Sequence, residues 1–344
     1  MHKFFRTRDG KEMKARPLPS YFYLNWPERK AEWRSSDRAP PKKNIVFKES
    51  IKWRDLNNQS VTICTNFKSD DALPEPFTYT DNPYNNVSFL KSHLQKAVRR
   101  SDVWRTLKTC YHFMDLDLQG FLRRLCVIAV EDSLPIEGYS VLMWFTAATS
   151  KGYTMTEAQK CWCVGYAMKL AECQYYETHQ TEEHTEFPLV KRKLYLLPDE
   201  QQDLIYSLQF RKAYGGMRGD KKMFDNISER WYKRREKFRE YLACKIPFVT
   251  PPEDKMELSE WILPAIDFHC CPQIISNLLD KFEKFDEITL RKAIWHYSSS
   301  ITNKTLLPDS ELTKPEKPPE LKHVWTKISK QFSGLARFYL KIQH

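Results

Sequence analysis

Glycine is scarce in this 344-residue chain, with only nine present. Glycine is costly inside helices and frequent in tight hairpin turns, so its scarcity, beside plentiful Lys, Arg, Glu and Leu, favours an α-rich fold. Long apolar runs are also missing. The longest, Val141 to Ala148, falls far below the ~18 residues a membrane-spanning helix requires, which predicts no membrane partner. The opening Met1-His2-Lys3-Phe4-Phe5-Arg6 lacks the apolar core of a secretory signal. The nine cysteines are an odd number without small-scaffold spacing, and most fall in helical patterns: Cys110, Cys126, Cys161, Cys163, Cys173 and Cys244. This pattern predicts buried free thiols in a reducing, intracellular setting, cytoplasmic or nuclear. A phosphate-cradling loop is lacking as well. The nearest stretch, Gly215-Gly216-Met217-Arg218-Gly219-Asp220-Lys221, does not have the G-x-x-x-x-G-K-[ST] spacing that aims backbone amides and a lysine at a triphosphate.

Hydrophobic residues make up 41% of the chain and aromatics 14%, enough for a packed core and too much for a disordered polymer. The net charge is +11 and unevenly spread. Residues 1–55 carry 15 Lys/Arg against 7 Asp/Glu, and residues 211–240 carry 11 against 5, while 151–190 is acidic around Glu177, Glu182, Glu183 and Glu186. Such asymmetry fits a polyanion or an acidic protein partner; a solubilising surface is the alternative.

The pattern predicts a mainly α, multi-helical bundle with few short strands, preceded by an extended, basic, aromatic- and proline-rich N-terminal arm. Residues 1–55 mix cations with Tyr21, Phe22, Tyr23, Trp26, Trp33 and Trp53 and with five prolines, which break helices. Ser60-Val61-Thr62-Ile63-Cys64-Thr65 is the one β-like run, and a Pro- and Asn-rich connector follows. Four regions are therefore expected: 1–85 as arm and connector, 86–186 as a helical domain, 187–306 as a second helical portion packed on the first, and 307–344 as a proline-rich linker with a final basic helix. Asn86 or Ser88 is expected to cap the first helix and Ser101 or Asp102 the next. Further helices are predicted at 139–149, 156–176, 199–212, 226–245, 257–263, 272–285, 287–299 and 320–342, from apolar spacing and the Gly and Pro breakers between them.

Leu90-Lys91-Ser92-His93-Leu94-Gln95-Lys96-Ala97-Val98-Arg99-Arg100-Ser101-Asp102, followed by Phe121-Leu122-Arg123-Arg124-Leu125-Cys126-Val127-Ile128-Ala129-Val130-Glu131-Asp132, resembles the C-terminal helical region of the RarA/MgsA clamp-loader-like AAA+ proteins. The resemblance spans about residues 88–133. It implies an inherited helical collar of the kind that supports oligomerisation in replication-fork maintenance, without the ATPase core, in a large DNA virus or phage. Read without the family, Arg99, Arg100, Arg123 and Arg124 beside Asp102, Glu131 and Asp132 predict a salt-bridged corner, since arginine forks pair bidentately with carboxylates. The alternative leaves an arginine pair such as Arg99 and Arg100 free for phosphate.

Other constellations carry less. Cys161 and Cys163 with Cys173, His179 and His184 offer zinc-type ligands, but one intervening residue turns the first two to opposite sides of a helix, so no metal is expected. His269-Cys270-Cys271-Pro272 with His296 could form a Cys–His dyad, or simply start a helix at Pro272. Asp309, Glu311 and Lys314 mimic a nuclease pattern without flanking strands. The leading candidate is Asn226–Lys245. Ile227, Trp231, Phe238, Tyr241 and Leu242 form its inward stripe, and Arg230, Lys233, Arg234, Lys237 and Arg239 project outward to contact phosphates, with Trp231 or Tyr232 available to stack on a base. Ion pairing with Glu229, Glu236 and Glu240 is the rival reading. With no catalytic machinery or cofactor motif evident, the sequence reads as a non-enzymatic helical protein associated with nucleic acid or a DNA-replication assembly. Its rivals are a structural or virion component using the arm on neighbouring subunits or other protein partners, and an enzyme with a dispersed site.

Overall fold

A computed structural model describes residues 5–6, 12–13, 18–41, 44–67, 86–177, 186–250, 252, 256–310 and 316–342. The strands are β1 (Phe5–Arg6), β2 (Glu12–Met13), β3 (Tyr21–Asn25), β4 (Lys30–Arg34), β5 (Phe47–Trp53), β6 (Gln59–Thr65), β7 (Tyr175–Tyr176) and β8 (Thr305–Leu306). The helices are α1 (Val87–Arg99), α2 (Val103–Glu131), α3 (Tyr139–Thr149), α4 (Glu157–Glu172), α5 (Asp199–Ala213), α6 (Arg218–Lys233), α7 (Phe238–Leu242), α8 (Gln273–Lys281), α9 (Glu287–Ile294) and α10 (Pro319–Ile342). The fold is mainly helical, and among the described residues no helix is long and apolar enough to cross a membrane. All nine cysteines are free thiols, six of them buried.

Two compact units interleave along the chain. The first draws on Met1–Ala72, Pro135–Thr156 and Thr181–Lys245, and the second on Leu73–Leu134, Glu157–Gln180 and Ile246–His344. This corrects the expected serial division at 85, 186 and 306. The physical reason lies in α3. Its Val141, Leu142, Met143, Trp144, Phe145, Ala147 and Ala148 are all buried, so it needs cover on every side, and it finds that cover against β3, β4, β6 and α5 rather than beside its chain neighbours.

The first unit corrects the arm as well. Within residues 18–67 the chain builds a four-stranded sheet of order β4-β3-β6-β5, with β3 antiparallel to β4, parallel to β6, and β6 antiparallel to β5. The aromatics expected on an extended segment are its core. Phe22 stacks on Trp33 with ring centroids 4.0 Å apart. Phe210 of α5 meets Trp33 at 5.1 Å and Trp53 at 5.0 Å. Two of the indole N–H groups find partners: Trp33 Nε1 donates to Ser207 Oγ at 2.9 Å and Trp144 Nε1 to the Phe22 carbonyl at 3.1 Å. Large rings that are buried and hydrogen-bonded in this way stabilise a small unit strongly.

In the second unit α1 lies against α2, and α2 against α4. Asn86 accepts from Phe89 N and Asp102 from Arg105 N, both at 3.0 Å, so of each expected capping pair the Asx residue does the work. Helix α2 is kinked at Asp117, whose Oδ1 accepts from Gly120 N at 2.7 Å and restarts the helix. The expected helix at 257–263 is absent; two short turns, Leu258–Glu260 and Leu263–Ala265, stand there. Helices α8, α9 and α10 pack together. Trp295–Ser299 extends α9 as a π-helical turn.

Gly165 of α4 lets the chain pass at Pro247, where an added Cβ would sit 1.9 Å from the Pro247 carbonyl oxygen. Gly165→Ala should therefore lower stability by about 1–3 kcal/mol despite its better helix propensity. Trp33→Ala should cost about 3–5 kcal/mol. Chemical denaturation followed by far-UV circular dichroism checks both; a Gly165→Ala protein more stable than wild type would contradict the close approach.

Candidate functional site

Two of the arginines proposed for phosphate, Arg99 and Arg100, are consumed inside the second unit. Arg99, at the end of α1, is 6% exposed. Its Nε donates to Asp132, its Nη2 lies 3.5 Å from Glu131 Oε1, and its Nη1 donates to the Ser299 carbonyl at 2.8 Å. Burial opposes its charge, but Asp132 and Glu131 outweigh that cost and hold its pKa above the usual arginine value. Arg100 donates to the Ser298 carbonyl at 2.8 Å, and burial lowers its pKa to about 10. The free-pair reading of Arg99 and Arg100 is thus corrected: a guanidinium spent on buried carboxylates and carbonyls cannot reach a phosphate. The salt-bridged corner exists, with a different membership from that expected. Glu131 and Asp132 are in it; Arg124 instead donates to Gln95 Oε1 at 3.3 Å, and Arg123 is exposed.

A second buried pair adjoins this corner, unforeseen in the sequence. Lys96 Nζ lies 3.0 Å from Asp267 Oδ2 and donates to Ser92 Oγ at 2.9 Å. Ser299 Oγ donates to Asp267 Oδ2 at 2.7 Å, and His269 Nδ1 lies 3.0 Å from Asp267 Oδ1. Burial alone would raise the Asp267 pKa; the His269 and Ser299 hydrogen bonds and the Lys96 ammonium reverse this and hold it well below the usual carboxylate range. His93 stays neutral because burial and three nearby cations push its pKa far down; its Nε2 accepts from Ile262 N at 2.9 Å. Lys304 was likewise missed. It donates to the Leu170, Ala171 and Cys173 carbonyls at 2.7, 3.2 and 2.5 Å and closes the C-terminal end of α4, a position that favours a cation. Burial lowers its pKa to about 8.

The Cys–His reading finds no activated thiol. Cys270 donates to the Ala265 carbonyl at 2.9 Å, and burial, with the Asp267 charge, raises its pKa to about 11. Pro272 caps α8, as the helix-start reading expects. Among the described residues no group of three or more His, Cys, Asp or Glu gathers to hold a metal. His179, His184, Glu311 and Lys314 lie outside the described residues.

The Asn226–Lys245 helix is broken in two. Arg235 takes a positive φ of 27°, and α6 gives way to a short turn before α7. Trp231 is fully buried, in edge contact with Phe238 at 6.3 Å, so the base-stacking role is corrected. Arg234 covers the Trp231 ring at 4.7 Å. Glu229 holds Arg192 and approaches Lys233 at 3.7 Å, and Glu200 binds Arg239 at 2.7 Å. Arg230 is half-buried, while Lys233 and Lys237 are exposed. Acids thus interleave with the cations of this surface.

Helix α10 is different. Leu321, Val324, Ile328, Phe332, Ala336 and Leu340 form its buried stripe. His323, Lys327, Lys330, Arg337 and Lys341 follow at three- and four-residue multiples on the opposite side, all exposed. After Glu320 the helix contains no acid. The end of α8 and the turn after it extend the basic surface: Lys281 donates to Gln331 at 2.7 Å, and Lys284 lies so close to Lys327 that it depresses the Lys327 pKa. Phe338 and Ile342 are 58% and 63% exposed beside the cations.

No family model, curated protein or solved structure matches this chain significantly. The function therefore has to be argued from these surfaces.

Asp267→Asn should leave Lys96 buried without its anion and cost about 3–5 kcal/mol at neutral pH. A carboxylate with a lowered folded pKa contributes stability above its unfolded value, near 4, and loses it as pH falls toward the folded one. The gap between wild type and Asp267→Asn should therefore narrow as denaturation midpoints are measured from pH 5 downward. A gap that widens would contradict the ion pair.

Proposed function

We propose that the protein associates with nucleic acid through the basic face of α10 and the adjoining Lys281 and Lys284. One observation carries this reading: a row of exposed basic side chains from His323 to Lys341, uninterrupted by acids, with Lys284 and Lys327 held side by side. Like charges at such range repel, and an anion placed between them relieves the repulsion. A phosphate backbone supplies anions at regular spacing, and lysine contacts to it give affinity without base sequence. Exposed Phe338 and half-buried Tyr339 add an aromatic edge on which an unpaired base can stack.

The basic surface of α6 and α7 supports this reading less well, because Glu229 and Glu200 already engage its neighbourhood. The arm-based assembly reading loses its support, since residues 18–67 belong to their own sheet. The likeness of residues 88–133 to a clamp-loader collar is kept as part of the proposal, and would place the protein in a replication or maintenance assembly.

Fluorescence anisotropy with labelled single-stranded and duplex oligonucleotides tests the proposal on the full chain. Affinity should fall steeply with salt. Changing Lys327, Lys330 and Arg337 together to Glu should weaken binding at least about tenfold and flatten the slope of log K against log salt by about 3. Lys233→Glu with Lys237→Glu should change little. Binding indifferent to salt, no binding at low salt, or a triple variant that binds like wild type would each end the proposal.

A further inference from the structure

A cavity of about 480 Å³ opens within the first unit, in the size range of small-molecule sites. Strand β4, the first two turns of α5, the segment Pro135–Val141 leading into α3, and residues around Leu189–Tyr195 line it. Lys30 and five arginines line it; Arg29 lies over the Trp26 ring, and the other four arginines are already engaged by carboxylates. Arg34 pairs with Glu32 at 2.7 Å, Arg38 with Asp199 at 3.4 Å, and Arg239 with Glu200 at 2.7 Å, while Arg192 is held by Glu229.

Asp203 is the exception. Protein surrounds it, yet part of it stays open to the cavity. Its Oδ1 accepts from Trp33 N at 2.7 Å. Among the described residues no cation pairs with it, and the charges nearest to it, Glu32, Asp199 and Glu200, are all negative. Burial first, and these carboxylates after it, raise its pKa well above the usual value, even though the Trp33 amide works the other way. Tyr206, one helical turn on, lines the same cavity, and burial with the Asp203 charge lifts its phenol to about 12. Lys30, Glu137, Tyr139 and Tyr195 are further titratable groups on its walls. A carboxyl that faces a cavity and is paired with no cation is complementary to one class of ligand, a cation brought in from outside.

We propose that this cavity binds a small organic cation, an amine or amidine on a flat apolar body, with the cationic head on Asp203 and the body against Tyr206 and the β4 wall. The cationic head supplies the charge that Asp203 lacks, and the amidine form can use the carboxylate oxygen not taken by Trp33. The inference does not rest on the nucleic-acid reading, which concerns the other unit.

Isothermal titration with benzamidine, benzamide and benzoate on the full-length protein tests it. Benzamidine should bind, benzamide should bind at least about tenfold more weakly, a difference of about 1.4 kcal/mol, and benzoate should not bind. Asp203→Asn keeps an acceptor for Trp33 N and removes the charge; it should weaken benzamidine at least about tenfold. If that variant does not fold, the ranking of the three probes on the wild-type protein decides alone. Absence of benzamidine binding, benzamide or benzoate binding as tightly as benzamidine, or a folded Asp203→Asn protein with unchanged affinity would overturn the assignment.

Discussion

A charge taken out of water must find its opposite, and the second unit is organised by that requirement. Arg99 and Lys96 both project from α1 into the interior. Arg99 reaches Asp132 and Glu131 at the end of α2 and the Ser299 carbonyl beyond α9; Lys96 reaches Asp267, which also collects Ser299 and His269. Four stretches far apart in sequence thus share one polar centre. Removing either partner would strand a buried charge, which costs far more than the pair contributes, so the arrangement acts mainly as a constraint on register. It also selects residue type: a planar guanidinium with several donors suits the corner where carboxylates and a carbonyl converge, and an ammonium suits the tighter contact with Asp267 and Ser92.

Much of the helical framework was legible because it is written in local chemistry. Asn86 and Asp102 sit where a side-chain oxygen meets a free amide, and α3, α5, α9 and α10 begin within a residue of the expected positions. The N-terminal sheet was not legible. In β3 the central residues Phe22, Tyr23 and Leu24 are all buried, so the two-residue alternation that marks a strand is missing. The prolines beside it suggested an unpaired segment, yet they flank the strands. The interleaving of the units was hidden for a related reason: nothing local in α3 says which surface will cover it.

The functional surfaces were misread for an electrostatic reason. Arg99 and Arg100 look available in one dimension because their partners lie more than 30 and nearly 200 residues away. Trp231 was assigned both to the inward stripe and to base stacking; only the first can hold for a side chain with no exposed area. Lys304 gave no signal at all, since a lysine before a short strand acquires its role only when the end of α4 comes to it. Asp203 had one retrievable clue, an acid on the apolar flank of a helix, but its want of a cation is a property of the assembled cavity.

What separates α10 from α6 is the placement of acids rather than the number of bases. A Lys with Glu three or four residues away gives up part of its field locally, and an approaching polyanion must displace that Glu before it gains. From Leu321 to Ile342 no such competitor is present, and folding adds Lys281, the last residue of α8, and Lys284 just after it to the same side. The repulsion this creates is tolerated because the groups are exposed and screened by salt. A polyanion that binds there replaces diffuse counterions and relieves the repulsion in the same step. By linkage it must then favour the folded, packed arrangement of α8, α9 and α10 over any state in which the lysines separate. The same geometry that makes this face slightly unfavourable alone is what makes it a receptive one.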